Sequence, residues 1–349
     1  AVSRTPVSRM RAVFQLAPLL RPGLRRRVMC AVSSLNSSES DASVPLTSIQ
    51  GADVKAFRDS LRLYRRCRAM PPGEFSTKLQ RSLDVLVDAY RLYGPRGVTS
   101  SFNGGKDAVA CLHLQRAALA GYCTDFRAEK SPVQVWRVEA IFFIIDDEFP
   151  EVREFVETVA DAHDLALDRL QCGWIEGLRS RIPETNPESG LVASRAFVLG
   201  TRAGDPNAAG QQHFGPSSSW MPPFMRVNPI IDWNFAEVWE FLRGFDLPYC
   251  SLYDKGYTSL GKRADTMPNP ALRRDDGTYA PAYMLDCSEL ERAGRHNAAV
   301  HAPNKGKDSN TMNNGVRAED PKILKVRKNA VKQQCQDTQL LGTFTNGQG

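Results

Sequence analysis

The sequence predicts an α/β fold: a mostly parallel sheet with helices on both faces, followed by an irregular C-terminal subregion. Three observations predict it. Short apolar runs alternate with amphipathic stretches of helical length between residues 98 and 200, the pattern of strands joined by crossover helices. One run, Ala140 to Ile145, is apolar throughout, as expected of a strand buried on both faces. A Gly-Gly pair directly follows the first strand and precedes a helix, at the place where such sheets bind ligands.

The elements follow in order. Residues 1–50 are rich in Arg and Ser, lack periodicity and are expected to be disordered. The first 38 contain Arg4, Arg9, Arg11, Arg21, Arg25, Arg26 and Arg27 but no Asp, Glu or Lys. That composition is typical of an organelle transit peptide, for a mitochondrion or a plastid; without such an address the protein is expected in the cytoplasm. The formal net charge of +6 minus the +7 of this segment leaves −1 for the rest of the chain. The body has no basic surplus, so no nucleic-acid partner is expected. No run reaches the roughly 18 apolar residues of a membrane span, so no membrane partner is expected either. The eight cysteines are scattered, without a C-x-x-C pair, which argues against a structural zinc site.

Residues 53–70 read as a helix. A stronger one covers 74–93, where Phe75, Leu79, Leu83, Leu86, Val87 and Tyr90 share a face and Gly94-Pro95 ends it. Val98 to Phe102 is a strand, Asn103 to Lys106 a tight loop, and Asp107 to Ala120 a helix with Ala110, Leu114, Ala117 and Ala118 inward. After the strand at 140–145, Pro150 opens a helix through His163, followed by a strand at 165–170, a helix at 174–182 and a strand at 196–200. Residues 201–231 read as a long loop, and Asn234 to Gly244 as a helix. Tyr249 to Tyr283 is irregular and rich in Gly, Pro and Asp, and Ser288 to Arg295 reads as a short helix. The chain is polar from Asn297 onward. The expected organisation is therefore a 1–50 leader, one catalytic domain at 51–300 and a disordered tail at 301–349.

Four stretches carry chemistry. In S-F-N-G-G-K-D (101–107), glycines let backbone N–H groups turn toward an anion, the following helix adds its positive end, and Lys106 adds a charge. The spacing is not that of a Walker loop. In G-T-R-A-G-D-P (200–206), Arg202 is suited to fork onto a phosphate, and Asp205 to hold a metal or a hydroxyl. In M-R-V-N-P-I-I-D-W (225–233), Arg226 has the aromatic neighbours Trp220, Phe224 and Trp233, a wall for a flat ligand or simply core. In E-R-A-G-R (291–295), Arg292 and Arg295 fall on one helix face, where two guanidiniums repel unless an anion lies between them.

Together these stretches, with DDEFPEVREFV (146–156), LYDKGYTSLG (252–261) and PAYMLDCSELERAGR (281–295), closely resemble the eukaryotic FAD synthase (FMN adenylyltransferase) family. That family shares a superfamily with phosphoadenylyl-sulfate reductases and ATP pyrophosphatases. The resemblance implies a PAPS reductase-like sheet, adenylyl transfer from ATP to FMN giving FAD, and a requirement for Mg²⁺. It implies catalytic roles for Asn103, Asp107, Asp205, Arg292 and Arg295, with Asp107 as the metal ligand. It also implies nucleotide or flavin contacts from Ser101, Gly104, Gly105, Lys106, Gly200, Thr201, Arg202, Arg226 and Asn228.

Two positions depart from the family pattern. Ala108 stands where members commonly have Cys, and Ser218 where many have an acid. They are the only features pointing to the alternative of a flavin- or nucleotide-binding protein with altered catalysis. A sulfonucleotide reductase needs a reactive Cys in a tail of the E-C-G-x-H kind; Cys335 sits instead in Q-Q-C-Q-D.

Overall fold

A computed structural model describes residues 45–49, 51–126, 131–182, 195–206 and 208–295. The transit-like segment up to residue 44 and the 301–349 tail lie outside the described residues, and so do the expectations placed on them. The chain divides into two compact units, one within residues 1–250 and one beginning at Ser251.

The first unit contains β1 (Leu46–Ser48), α1 (Val54–Arg68), α2 (Glu74–Tyr93), β2 (Val98–Ser101), α3 (Lys106–Asp125), β3 (Val133–Val135) and β4 (Glu139–Phe143). It continues with α4 (Pro150–Ala162), β5 (Ala166–Leu170), α5 (Trp174–Arg181), β6 (Ala196–Val198), β7 (Phe214–Pro216), β8 (Met225–Val227) and α6 (Phe235–Gly244). The main sheet has six strands in the order β5-β4-β2-β6-β8-β7. Every pairing in it is parallel except β7 with β8. The predicted α/β class and the mostly parallel sheet are therefore observed.

The chain builds outward from β2 through β4 to β5, then crosses to β6 on the other side of β2. The strand order thus reverses between β2 and β6, and a crevice at that point is where open parallel sheets hold ligands.

α3 is buried on nearly every side because it packs against α1 and α2 as well as the sheet. Its Ala and Leu residues allow this close approach, and its polar residues His113, Gln115 and Arg116 are also buried. α6 begins with a capping box: Glu237 N donates to Asn234 Oδ1 at 2.9 Å, and Asn234 N donates to Glu237 Oε2 at 2.7 Å. Such caps contribute ~1 kcal/mol, and Lys78 of α2 pins this one through Glu237 at 2.8 Å.

Several expectations need correction. Leu46–Ser48 forms a parallel pair with Val133–Val135, although 1–50 had been expected to be disordered. The 201–231 stretch is not all loop: β7 and β8 lie inside it. The 140–145 strand shifts to 139–143, with Ile145 exposed.

Among the described residues, the second unit is built from short 3₁₀ turns and two isolated bridges, Thr266 with Arg295 and Arg273 with Tyr279. Only Ser288–Leu290 of the predicted 288–295 helix is helical, and as a 3₁₀ turn. Arg292 and Arg295 therefore do not share an α-helix face. Among the described residues, no helix is long and apolar enough to cross a membrane.

Candidate active site

The loop after β2 is shaped by its own residues. Asn103 Oδ1 accepts a hydrogen bond from Gly105 N at 3.0 Å, closing a small turn. Gly104 has φ +71°, a left-handed conformation that disfavours side chains. A Cβ there would also lie 3.0 Å from Val152 Cγ1 and 3.1 Å from Val156 Cγ2 of α4. Gly105 is the N-cap of α3 and supplies no capping side chain. The helix therefore begins without a side-chain cap over its positive end, the kind of terminus that suits an anion.

Lys106 is not where the sequence suggested. Its side chain is 2% exposed, with Nζ 2.9 Å from Asp107 Oδ2 and 5.2 Å from the centre of the Phe235 ring. Burial of an ammonium requires such partners. The Lys106 charge is therefore engaged by Asp107 and the Phe235 ring and is not held out at the loop surface.

The loop after β6 meets this one. Arg202, buried, places Nε 3.0 Å from Asp107 Oδ1. Its backbone N donates to Asp205 Oδ2 at 2.8 Å, and its Nη2 lies 3.5 Å from Asp205 Oδ1. The contact between the loops depends on Gly200, since a Cβ there would stand 2.9 Å from Ala108 N and from Asp107 C. Those are backbone atoms, so any larger residue must push β6 away from α3. Asn103, Gly104, Gly105, Lys106, Asp107, Gly200, Arg202 and Asp205 thus form one cluster at the strand-order reversal. Ser101 and Thr201, both half-buried, lie at the two strand ends that feed it.

Arg226 and Asn228 belong to a different group. Arg226 donates to Pro216 O at 3.2 Å and Ser218 Oγ at 2.9 Å. The partner at Ser218 is a neutral hydroxyl, which leaves the guanidinium's charge in place. Asn228 is buried, and its Nδ2 donates to Gln211 Oε1 and Gln212 O. It ties the 211–213 loop to the end of β8. Arg292 is exposed and Arg295 half-buried, both in the second unit.

One residue was missed. Glu148, after β4, has a buried Oε2 without a hydrogen-bond partner, and burial pushes its carboxyl up to about 7 against a pull downward from Arg153. Its sequence signal was its place in the D-D-E-F-P run just past a strand end. Among the described residues, no three His, Cys, Asp or Glu side chains come together as a metal cage.

Residues 181–268 match the Phosphoadenosine phosphosulfate reductase domain family. The probable FAD synthase of Schizosaccharomyces pombe is 36% identical over 220 residues, covering 63% of this chain and 79% of that protein. The probable FAD synthase of Caenorhabditis elegans is 34% identical over 232 residues, and this chain spans only 41% of its length. The solved structure of Candida glabrata FMN adenylyltransferase in complex with FMN and the ATP analog AMPCPP has a TM-score of 0.59 at 23% identity. It covers 69% of this chain and 99% of that one; at that identity the likeness is one of fold.

Proposed function

Because the chain belongs to the FAD synthase family, we propose that it joins FMN to the AMP half of ATP, giving FAD and pyrophosphate. The observation that carries the site assignment is the meeting of the Asn103–Asp107 and Gly200–Asp205 loops at the strand-order reversal, tied through Asp107 and Arg202. An FMN phosphate oxygen forms a bond to the α-phosphorus of ATP as the bond to the β-phosphate bridge breaks. The electron pair and the charge leave with pyrophosphate. Such a transfer needs no protein nucleophile, only alignment and charge neutralisation.

The Gly104–Gly105 turn and the start of α3 are suited to receive the leaving phosphates. Arg202, held by two carboxylates, keeps the two loops in register. The family resemblance assigns Arg292 and Arg295 to offsetting charge on the transferring group. Arg226 and Asn228 are retained as flavin-side contacts.

Mg²⁺ takes oxygen ligands, and it commonly uses one or two carboxylates with the rest from substrate phosphates and water. Asp107 and Asp205 fit that donor set; they do not fit an all-protein cage. Bound with ATP, the ion would neutralise phosphate charge, with Asp107, the ligand implied by the resemblance, or Asp205 holding it.

The arginine-rich composition of residues 1–38 supports an organelle address for the protein.

The test is to incubate the purified protein with FMN, ATP and Mg²⁺ and to separate the flavins by chromatography. FAD with equimolar pyrophosphate, lost on Mg²⁺ removal or in Asp107→Ala, is expected. Binding of ATP and FMN without any FAD would replace the enzyme reading by the binding-protein reading that Ser218 and Ala108 suggest.

A further inference from the structure

Arg295 is clamped at both ends within the second unit. Its backbone bridges to Thr266, and Met267 N donates to Gly294 O at 2.9 Å. The turn before it is held by a buried polar knot. Thr258 Oγ1 donates to Glu291 O at 2.6 Å, while Asn269 Nδ2 donates to Thr258 Oγ1 at 2.8 Å and to Leu290 O at 2.7 Å.

The far end of the side chain is fixed too. Nη1 donates to Leu260 O at 2.7 Å, and the guanidinium lies over Gly261. A Cβ at Gly261 would stand 2.2 Å from Nη2 and 2.3 Å from both Cζ and Nη1. Among the described residues, no carboxylate is within ion-pairing distance of Arg295. Asp265 acts on it only through space, and burial and Arg292 both disfavour its charge. A long side chain with many rotamers is thus held in one place with its charge uncompensated, which is preorganisation for an anion.

We infer that Gly261 is a positioning residue for Arg295: its lack of a side chain is what seats the guanidinium. The inference rests on the reading above in which Arg295 meets the transferring phosphate. The three atoms nearest a methyl group at 261 all belong to the end of one side chain, so the fold can absorb it while the guanidinium is displaced. Gly294 differs, since a Cβ there would meet the backbone oxygen of Met267 at 2.3 Å.

The test compares Gly261→Ala, Arg295→Ala and the double variant of the full chain in FMN-to-FAD turnover, with melting temperatures alongside. Gly261→Ala is expected to lower kcat about ten- to a hundredfold, the scale of a small misplacement of a charged group. Its KM values and melting temperature should stay near wild type, and the double variant should be no slower than Arg295→Ala alone. A wild-type rate in Gly261→Ala, an early melt, or losses that multiply in the double variant would overturn the inference. A wild-type rate in Arg295→Ala would instead remove the role of Arg295, and the inference with it.

Discussion

Asp107 stands between two buried cations, with Lys106 Nζ 2.9 Å from its Oδ2 and Arg202 Nε 3.0 Å from its Oδ1 in an ion pair. Asp107→Asn keeps the shape but withdraws the charge that both share. Removing one partner from a buried ion cluster costs about 3 kcal/mol or more. A fall of that size in urea-unfolding stability is expected. Arg202→Gln leaves the Lys106 pair in place and should lose less. Equal stability of Asp107→Asn and wild type would refute the shared-carboxylate account.

Gly104→Ala should cost about 1–2 kcal/mol from its left-handed backbone alone, with the Val152 and Val156 contacts adding to it. Adding Val156→Ala relieves one of the two contacts and neither the Val152 contact nor the backbone strain, so rescue should be partial. Full rescue in denaturant titrations would show that the Val156 contact is the whole cause. The KM for ATP should rise in both variants.

How much of this was legible in the sequence depended on distance along the chain. The 74–93 helix was read to the residue, since its apolar face recurs at helical spacing and Gly94-Pro95 stops it. The two loops of the site were read from their own residues. Their joining was not, because the partners Asp107 and Arg202 lie in separate strand-end loops. Lys106 was misjudged for the same reason: Phe235, the ring it covers, starts a helix far along the chain. β7 and β8 are three residues each, with Pro216 and Arg226 inside them, too short to show a period-2 pattern.

Acid should destabilise the protein through a histidine pair. The rings of His113 and His163 stand edge to face at 5.2 Å. Burial first, and the Arg116 charge second, hold His163 down to about 4 and His113 well below its usual value. The unfolded chain gains these protons near pH 6.5 and the folded one does not. The stability present above pH 6.5 is therefore lost as pH falls toward 4. Glu148 works in the opposite sense: raised to about 7, its contribution is present below pH 4.5 and is lost as pH rises through 7. In melting curves across this range, His163→Asn should flatten the acid limb, while Glu148→Gln should exceed wild type only on the alkaline side. Parallel curves for all three proteins would contradict both assignments.

Arg292 is exposed, so Arg292→Ala should leave the melting temperature unchanged. Turnover should still drop about ten- to a hundredfold if its charge offsets that of the transferring phosphate. An unaffected rate removes it from the catalytic set.

A fluorescent protein fused behind residues 1–50 should be delivered to a mitochondrion or plastid if the arginine-rich leader is an address. Diffuse cytosolic fluorescence would refute that reading.

The strand at one end of the main sheet, β7, has further significance. It is three residues long, runs against the grain of its neighbour and ends in Pro216, which has no N–H to offer another chain. A parallel sheet assembles through distant contacts and so stays open for a long interval during synthesis. A short outer edge that carries Pro216 gives a second nascent copy little to zip onto, so the same three residues that escaped notice as a strand also blunt this edge against pairing.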